Sequence, residues 1–160
     1  MPIIDTQKRN LFRRKSELVI NNLMPWIVDA TKFTENCTQC QNCLNSCPEN
    51  IIVQGDGGFP VIDFSAGECT FCTKCAVSCQ EDIFADTSEI AWQKKAVISE
   101  SCLANQNVYC RSCCESCPEL ALSFKIGINA IPEIDLAKCN GCGACFSPCP
   151  TSAINIKDSK

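Results

Sequence analysis

Apolar positions in this chain come in short bursts, none sustained enough for a long helix. Ile51-Ile52-Val53 runs into Gly55-Asp56-Gly57-Gly58, and Phe59 to Asp63 returns, which predicts a small β-hairpin. Ala121 to Lys125 and Ile128 to Asp135, with Gly127 near the turn, predict a second hairpin in the equivalent place. Pro48, Pro118 and Pro150 suit a first helical position, so a helical turn is expected just after each. The uncharged stretch Leu18 to Val28 is broken by Asn21, Asn22 and Pro25 and reads as amphipathic. No stretch approaches the roughly twenty apolar residues that a spanning helix needs, so no transmembrane segment is expected.

What lies between the bursts changes the picture. Cys37, Cys40, Cys43, Cys47 and Pro48 write C-x2-C-x2-C-x3-C-P. The run returns as Cys69, Cys72, Cys75 and Cys79, with Gln80 in the proline position, and again as Cys139, Cys142, Cys145, Cys149 and Pro150. A further copy is stretched at its front: Cys102, then Cys110, Cys113, Cys117 and Pro118. This is the ligand run of bacterial-type ferredoxins, in which three cysteines grip one cubane cluster and the fourth ligates its neighbour. Four runs predict four [4Fe-4S] clusters.

Two other uses of so many cysteines fit less well. The count of seventeen is odd, and the two-residue spacings are too short for a regular disulfide ladder. Zinc sites normally use two separated pairs, often with histidine, and this chain has no histidine. Clusters also explain how so small a chain stays folded, because small domains need metal or covalent staples. The formal charge of −4 leaves an acidic body, which disfavours nucleic acid and suits a basic surface on a protein partner.

The runs form an internal repeat. Cys40, Cys47, Cys69, Cys72, Cys75 and Cys79 recur seventy residues later, and Pro60-Val61-Ile62-Asp63 answers Pro132-Glu133-Ile134-Asp135. The predicted fold class is therefore α+β: two tandem bacterial-type 2[4Fe-4S] ferredoxin-like units, with small hairpins and short helices around the clusters. A basic tail over 1–30 precedes unit 1 over 31–95 and unit 2 over 96–160. The crossed pattern groups Cys37, Cys40 and Cys43 with Cys79, and Cys69, Cys72 and Cys75 with Cys47. It likewise groups Cys102, Cys110 and Cys113 with Cys149, and Cys139, Cys142 and Cys145 with Cys117. One cluster per run is the competing grouping and names the same sixteen ligands. Cys114, the remaining thiol, reads as a spectator beside Cys113. A strict repeat would place a ligand at Asn107 rather than at Cys102. Gly141 and Gly143 either let backbone amides approach the cluster sulfurs or simply ease a tight loop.

Lys8, Arg9, Arg13, Arg14 and Lys15 make the tail basic and mark it as a candidate partner-binding segment. Arg13-Arg14 before an uncharged stretch also suggests a twin-arginine export signal. Lys15 and Glu17 sit where its hydrophobic region should begin, which favours a cytoplasmic protein. A cluster with four thiolates has no open iron for substrate, and no nucleophile–base pair or phosphate loop is evident. The chain is therefore expected not to be an enzyme.

The tail, Pro25-Trp26, Phe33, Cys37-Thr38-Gln39-Cys40, the stretched Cys102-to-Cys110 start and Cys139-Asn140-Gly141-Cys142-Gly143-Ala144-Cys145 together resemble one family. These are the ferredoxin-type accessory proteins of bacterial periplasmic nitrate reductase, and the resemblance covers nearly the whole chain. It implies a cytoplasmic four-cluster protein that binds the precursor of the reductase catalytic subunit and assists its maturation before export. The alternative is an electron-transfer polyferredoxin subunit of a larger oxidoreductase, which would need the same cysteines.

Overall fold

The computed structural model describes residues 22–124 and 131–159. The helices are short: α1 Ala30–Asn36, α2 Asn42–Ser46, α3 Lys74–Val77 and α4 Ser112–Glu115. The strands are β1 Ile52–Gln54, β2 Pro60–Ile62, β3 Lys94–Ile98, β4 Leu122–Phe124, β5 Pro132–Ile134 and β6 Ile154–Asp158. They pair antiparallel as three two-stranded ribbons, β1–β2, β4–β5 and β3–β6.

Both predicted hairpins are present. Ile52 faces Ile62 in β1–β2, and Leu122 faces Ile134 in β4–β5. The turn expected around Gly127 lies outside the described residues. In the first hairpin a 3-10 turn over Asp56–Gly58 makes the reversal, with Gly57 at φ +67°. β3 and β6 add a five-residue ribbon that joins the start of the second half to the end of the chain.

In the first three runs the helical turns fall before the fourth cysteine, not after it. α2 carries Cys43 and ends at Ser46, just before Cys47, and α4 carries Cys113 and is followed by Ser116 and Cys117. The prolines instead enter tight turns, closed by Asn50 N–H to Cys47 C=O, Leu120 to Cys117 and Ser152 to Cys149. Asn50, Leu120 and Ser152 are all left-handed, at φ +54°, +49° and +50°. A proline at the head of a turn that closes after three residues leaves the chain free to reverse into a strand. A helix there would carry the hairpin away from the cysteines.

Two cores result. In the first half, Phe33 is fully buried against Phe59 with ring centroids 5.7 Å apart, among Ile51, Ile52, Ile62 and Ile83. Leu23, Met24 and Ile27 belong to this core, and Trp26 is also buried. Trp26 N–H donates to Ala91 C=O at 2.6 Å and Trp26 C=O accepts from Ala85 N–H at 2.8 Å. The segment 22–27 thus packs along the first half. A smaller core of Ala96, Ala121, Leu122 and Ile154 lies in the second half, between β3–β6 and β4–β5.

Candidate metal centre

In the first, second and fourth runs the loops between the ligating cysteines share one backbone conformation. Gln39 and Gln41, Phe71 and Thr73, and Gly141 and Gly143 occupy the second and fourth positions after the leading cysteine of their runs. All six have φ between +52° and +86°. Two left-handed residues per loop coil it so that successive cysteines turn inward, and for residues with a Cβ that conformation costs about 1–2 kcal/mol each. Phe71 is held there by Trp26 and Trp92, with centroids 6.4 and 5.6 Å from its ring.

The glycines serve close packing. A Cβ on Gly141 would overlap the Lys94 carbonyl, and one on Gly143 would overlap the Phe64 ring. Amides that reach cysteine sulfurs include Ala96 to Cys139 Sγ and Ala121 to Cys117 Sγ, both at 3.4 Å, and Ala153 to Cys149 Sγ at 3.2 Å. Ala121 and Ala153 each follow a left-handed residue that ends a Cys-Pro turn, and this aims their N–H groups back at the sulfur. Sequence reasoning missed them. The signal available was the recurring spacing of four residues from Cys117 and Cys149.

The cysteines gather across runs. Cys37, Cys40, Cys43 and Cys79 line one cavity with Met24, Leu44, Ile83 and Phe84. Cys47, Cys69, Cys72 and Cys75 line another with Trp26, Ile51, Ile62 and Phe71. Cys102, Cys110, Cys113 and Cys149 line a third with Ile98, Leu103, Phe124 and Ile154. Cys139, Cys142 and Cys117 all act electrostatically on the buried Cys145. Four thiols on an apolar wall are a donor set that suits an iron–sulfur cube, which takes thiolate ligands and little else. Among the described residues, no three His, Cys, Asp or Glu side chains converge where a single ion would be held.

Burial raises Cys37, Cys43, Cys69, Cys75, Cys113, Cys142 and Cys145 from the ordinary 9.0. Cys43, Cys69 and Cys145 are pushed up to about 12, and Cys75 and Cys113 to about 11. Neighbouring thiols of the same group add to the rise, Cys72 and Cys47 for Cys75, and Cys102 and Cys110 for Cys113.

The widened front of the third run is filled by a 3-10 turn over Leu103–Gln106, closed by Asn107 at φ +61°. The turn takes up the extra chain, so Cys102 and Cys110 still reach the same cavity. Cys114 turns away from that cavity: its Sγ donates to the Leu122 carbonyl at 3.0 Å, and it packs against the second core. The candidate partner-binding residues Lys8, Arg9, Arg13, Arg14 and Lys15 lie outside the described residues.

Short ribbons and turns arranged around apolar, thiol-lined cavities define an iron–sulfur protein of the ferredoxin type. A family model described as a 4Fe-4S dicluster domain matches residues 36–84, and one described as a 4Fe-4S binding domain matches residues 132–155. The ferredoxin-type protein NapF of Haemophilus influenzae is 46% identical over 138 residues, covering 85% of this chain and 78% of the relative. The ferredoxin-type protein NapF of Escherichia coli K12 is 38% identical over 157 residues, covering 96% of each. A component of the ion-translocating oxidoreductase complex of Methanosarcina acetivorans is 35% identical over 134 residues, but only 48% of that protein is covered. The chain belongs to the NapF family of ferredoxin-type proteins. Among the described residues, no helix is long and apolar enough to cross a membrane.

Proposed function

We propose that the chain is a cytoplasmic, non-catalytic protein of two tandem two-cluster units that assists maturation of the periplasmic nitrate reductase catalytic subunit precursor before export. Four [4Fe-4S] clusters are held by the sixteen cysteines of the four runs in the crossed arrangement, and bound clusters of this kind supply one-electron chemistry. The observation that carries the ligand assignment is the lining of three cavities, each of which takes three cysteines from one run and the last cysteine of its partner run. Family membership supports the link to nitrate reductase. The units correspond to residues 31–95 and 96–160. The basic tail, with Lys8, Arg9, Arg13, Arg14 and Lys15, is the docking element for the acidic or polar surface of the precursor.

The second reading, an electron-transfer subunit of a larger oxidoreductase, is favoured by the likeness to the Methanosarcina relative over 78% of this chain. Anaerobic capture of the full chain from cytoplasm separates the two. Recovery of the catalytic subunit with its export signal attached supports maturation. Recovery of a stable, active oxidoreductase complex without that precursor overturns it.

A further inference from the structure

The outer face of β1–β2 differs from its counterpart in the repeat. Ile52 and Ile62 are buried in the first core, and Val53 pairs with Val61 at the next position, so the two valines point to the opposite face. In β4–β5 the corresponding pair is Ser123 and Glu133. The same place in the repeat is thus polar in the second half and apolar in the first. Val53 and Val61 are only half-buried. With Phe146 and Ile156 they wall a cavity of about 410 Å³ that no cysteine lines. Asp56, Asp63 and Asn155 also line it.

The chain itself leads into this cavity. Asn22, the first described residue, lines it, and its carbonyl accepts from Ile62 N–H at 2.9 Å along the outer edge of β2. Leu18, Val19 and Ile20 come just before Asn22 in sequence, and Arg13, Arg14 and Lys15 a few positions earlier. Even fully extended, the chain from Lys15 to Asn22 reaches only about 25 Å.

We propose that residues 11–20 of the tail dock in this cavity when no partner is bound. Leu18, Val19 and Ile20 cover Val53, Val61, Phe146 and Ile156, and the cations of Arg13, Arg14 and Lys15 face Asp56 and Asp63. Apolar surface meets apolar surface and opposite charges meet along one segment. Asn22 tethers that segment, and a tethered segment meets its site at an effective concentration in the millimolar range, so weak contacts suffice to hold it. The second half lacks the apolar pair, and the basic tail precedes the first half alone. Docking also regulates binding. The cations that would meet an acidic partner are held against the chain's own carboxylates, so a partner must displace the tail to reach them. That consequence rests on the tail being the docking element for the precursor; the contact itself does not.

Arginine-specific proteolysis of the full-length, cluster-loaded protein tests the contact, because cleavage after Arg13 and Arg14 follows the fraction of tail that is undocked. Asn155→Lys puts a like charge on the cavity. Asp63→Asn removes a carboxylate charge and keeps the oxygen that accepts from Ser65 N–H. Each should speed tail cleavage about threefold, and Asn155→Glu should slow it. Ser123→Lys sets the same charge on the equivalent face of the other ribbon and should leave the rate unchanged. Equal rates in all four variants, or a rise with Ser123→Lys as large as that with Asn155→Lys, overturns the docking. So does weaker capture of the precursor by Asn155→Lys with unaltered tail cleavage, which would give the cavity to a basic and apolar segment of the partner. Iron analysis of each variant shows that clusters are retained, so that a change in cleavage reports the tail alone.

Discussion

Gly143 is required twice over, by its φ of +86° and by the Phe64 ring pressed against its Cα. Gln41 and Thr73 hold the corresponding left-handed positions in the first half with ordinary side chains. Gly143→Ala should therefore destabilise the loaded protein by at least about 1–2 kcal/mol, the left-handed cost alone, with the ring overlap in addition. Thermal unfolding under anaerobic conditions reads this; an unchanged midpoint would contradict the packing described. The thiols carry a pH prediction of their own. Burial pushes Cys43 up to about 12 and Cys75 to about 11, so both keep their protons at neutral pH until metal displaces them. Protons therefore compete with iron well above the ordinary thiol value of 9.0, and cluster binding strengthens as pH rises and weakens as it falls. Reconstitution with ferrous iron and hydrosulfide in a weakly buffered solution at pH 7 should release about four protons per cluster beyond those that the sulfide itself gives up. Release of far fewer would mean that the thiols are already ionised.

At the scale of elements, the sequence showed where hairpins begin and end because Gly-rich and Pro-led turns punctuate them. Ile51 to Asp63 is the example, since its apolar runs and glycines carry the whole signal locally. The helical turns were misplaced because proline fits both a first helical position and the head of a tight turn. The competing closure depends on left-handed φ values that Leu120 and Ser152 do not announce, although Asn50 is a residue type that favours them. Three cavities gather the cysteines that the spacing places together, whereas the amides of Ala96, Ala121 and Ala153 were not legible, because an alanine N–H leaves no mark in composition. The burial of Leu23, Met24 and Trp26 depends on a distant segment near Ala85 and Ala91, so the amphipathic stretch gave no sign of it. α1 shows a conventional start: Asp29 caps it by accepting from Thr31 N–H at 2.8 Å and Lys32 N–H at 3.0 Å. Asp29→Ala should cost about 1 kcal/mol, measurable as a lowered unfolding temperature with iron content unchanged. Loss of iron in that variant would show that α1 also supports the nearby Cys37.

For the molecule as a whole, the two cores are small and the cysteine sets lie between them and the ribbons. Phe146 and Ile156, both from the second half, pack against the core of the first half, which binds the halves to each other as well as to their own centres. The crossed arrangement proposed above rests on cavities that each take cysteines from two runs. The double variant Cys40→Ala with Cys79→Ala tests this arrangement most directly. Both side chains line the same cavity, so the crossed arrangement predicts loss of one cluster and retention of about twelve irons per chain out of about sixteen. Retention of only about eight irons would mean that the two cysteines serve different clusters, and would contradict the crossed assignment.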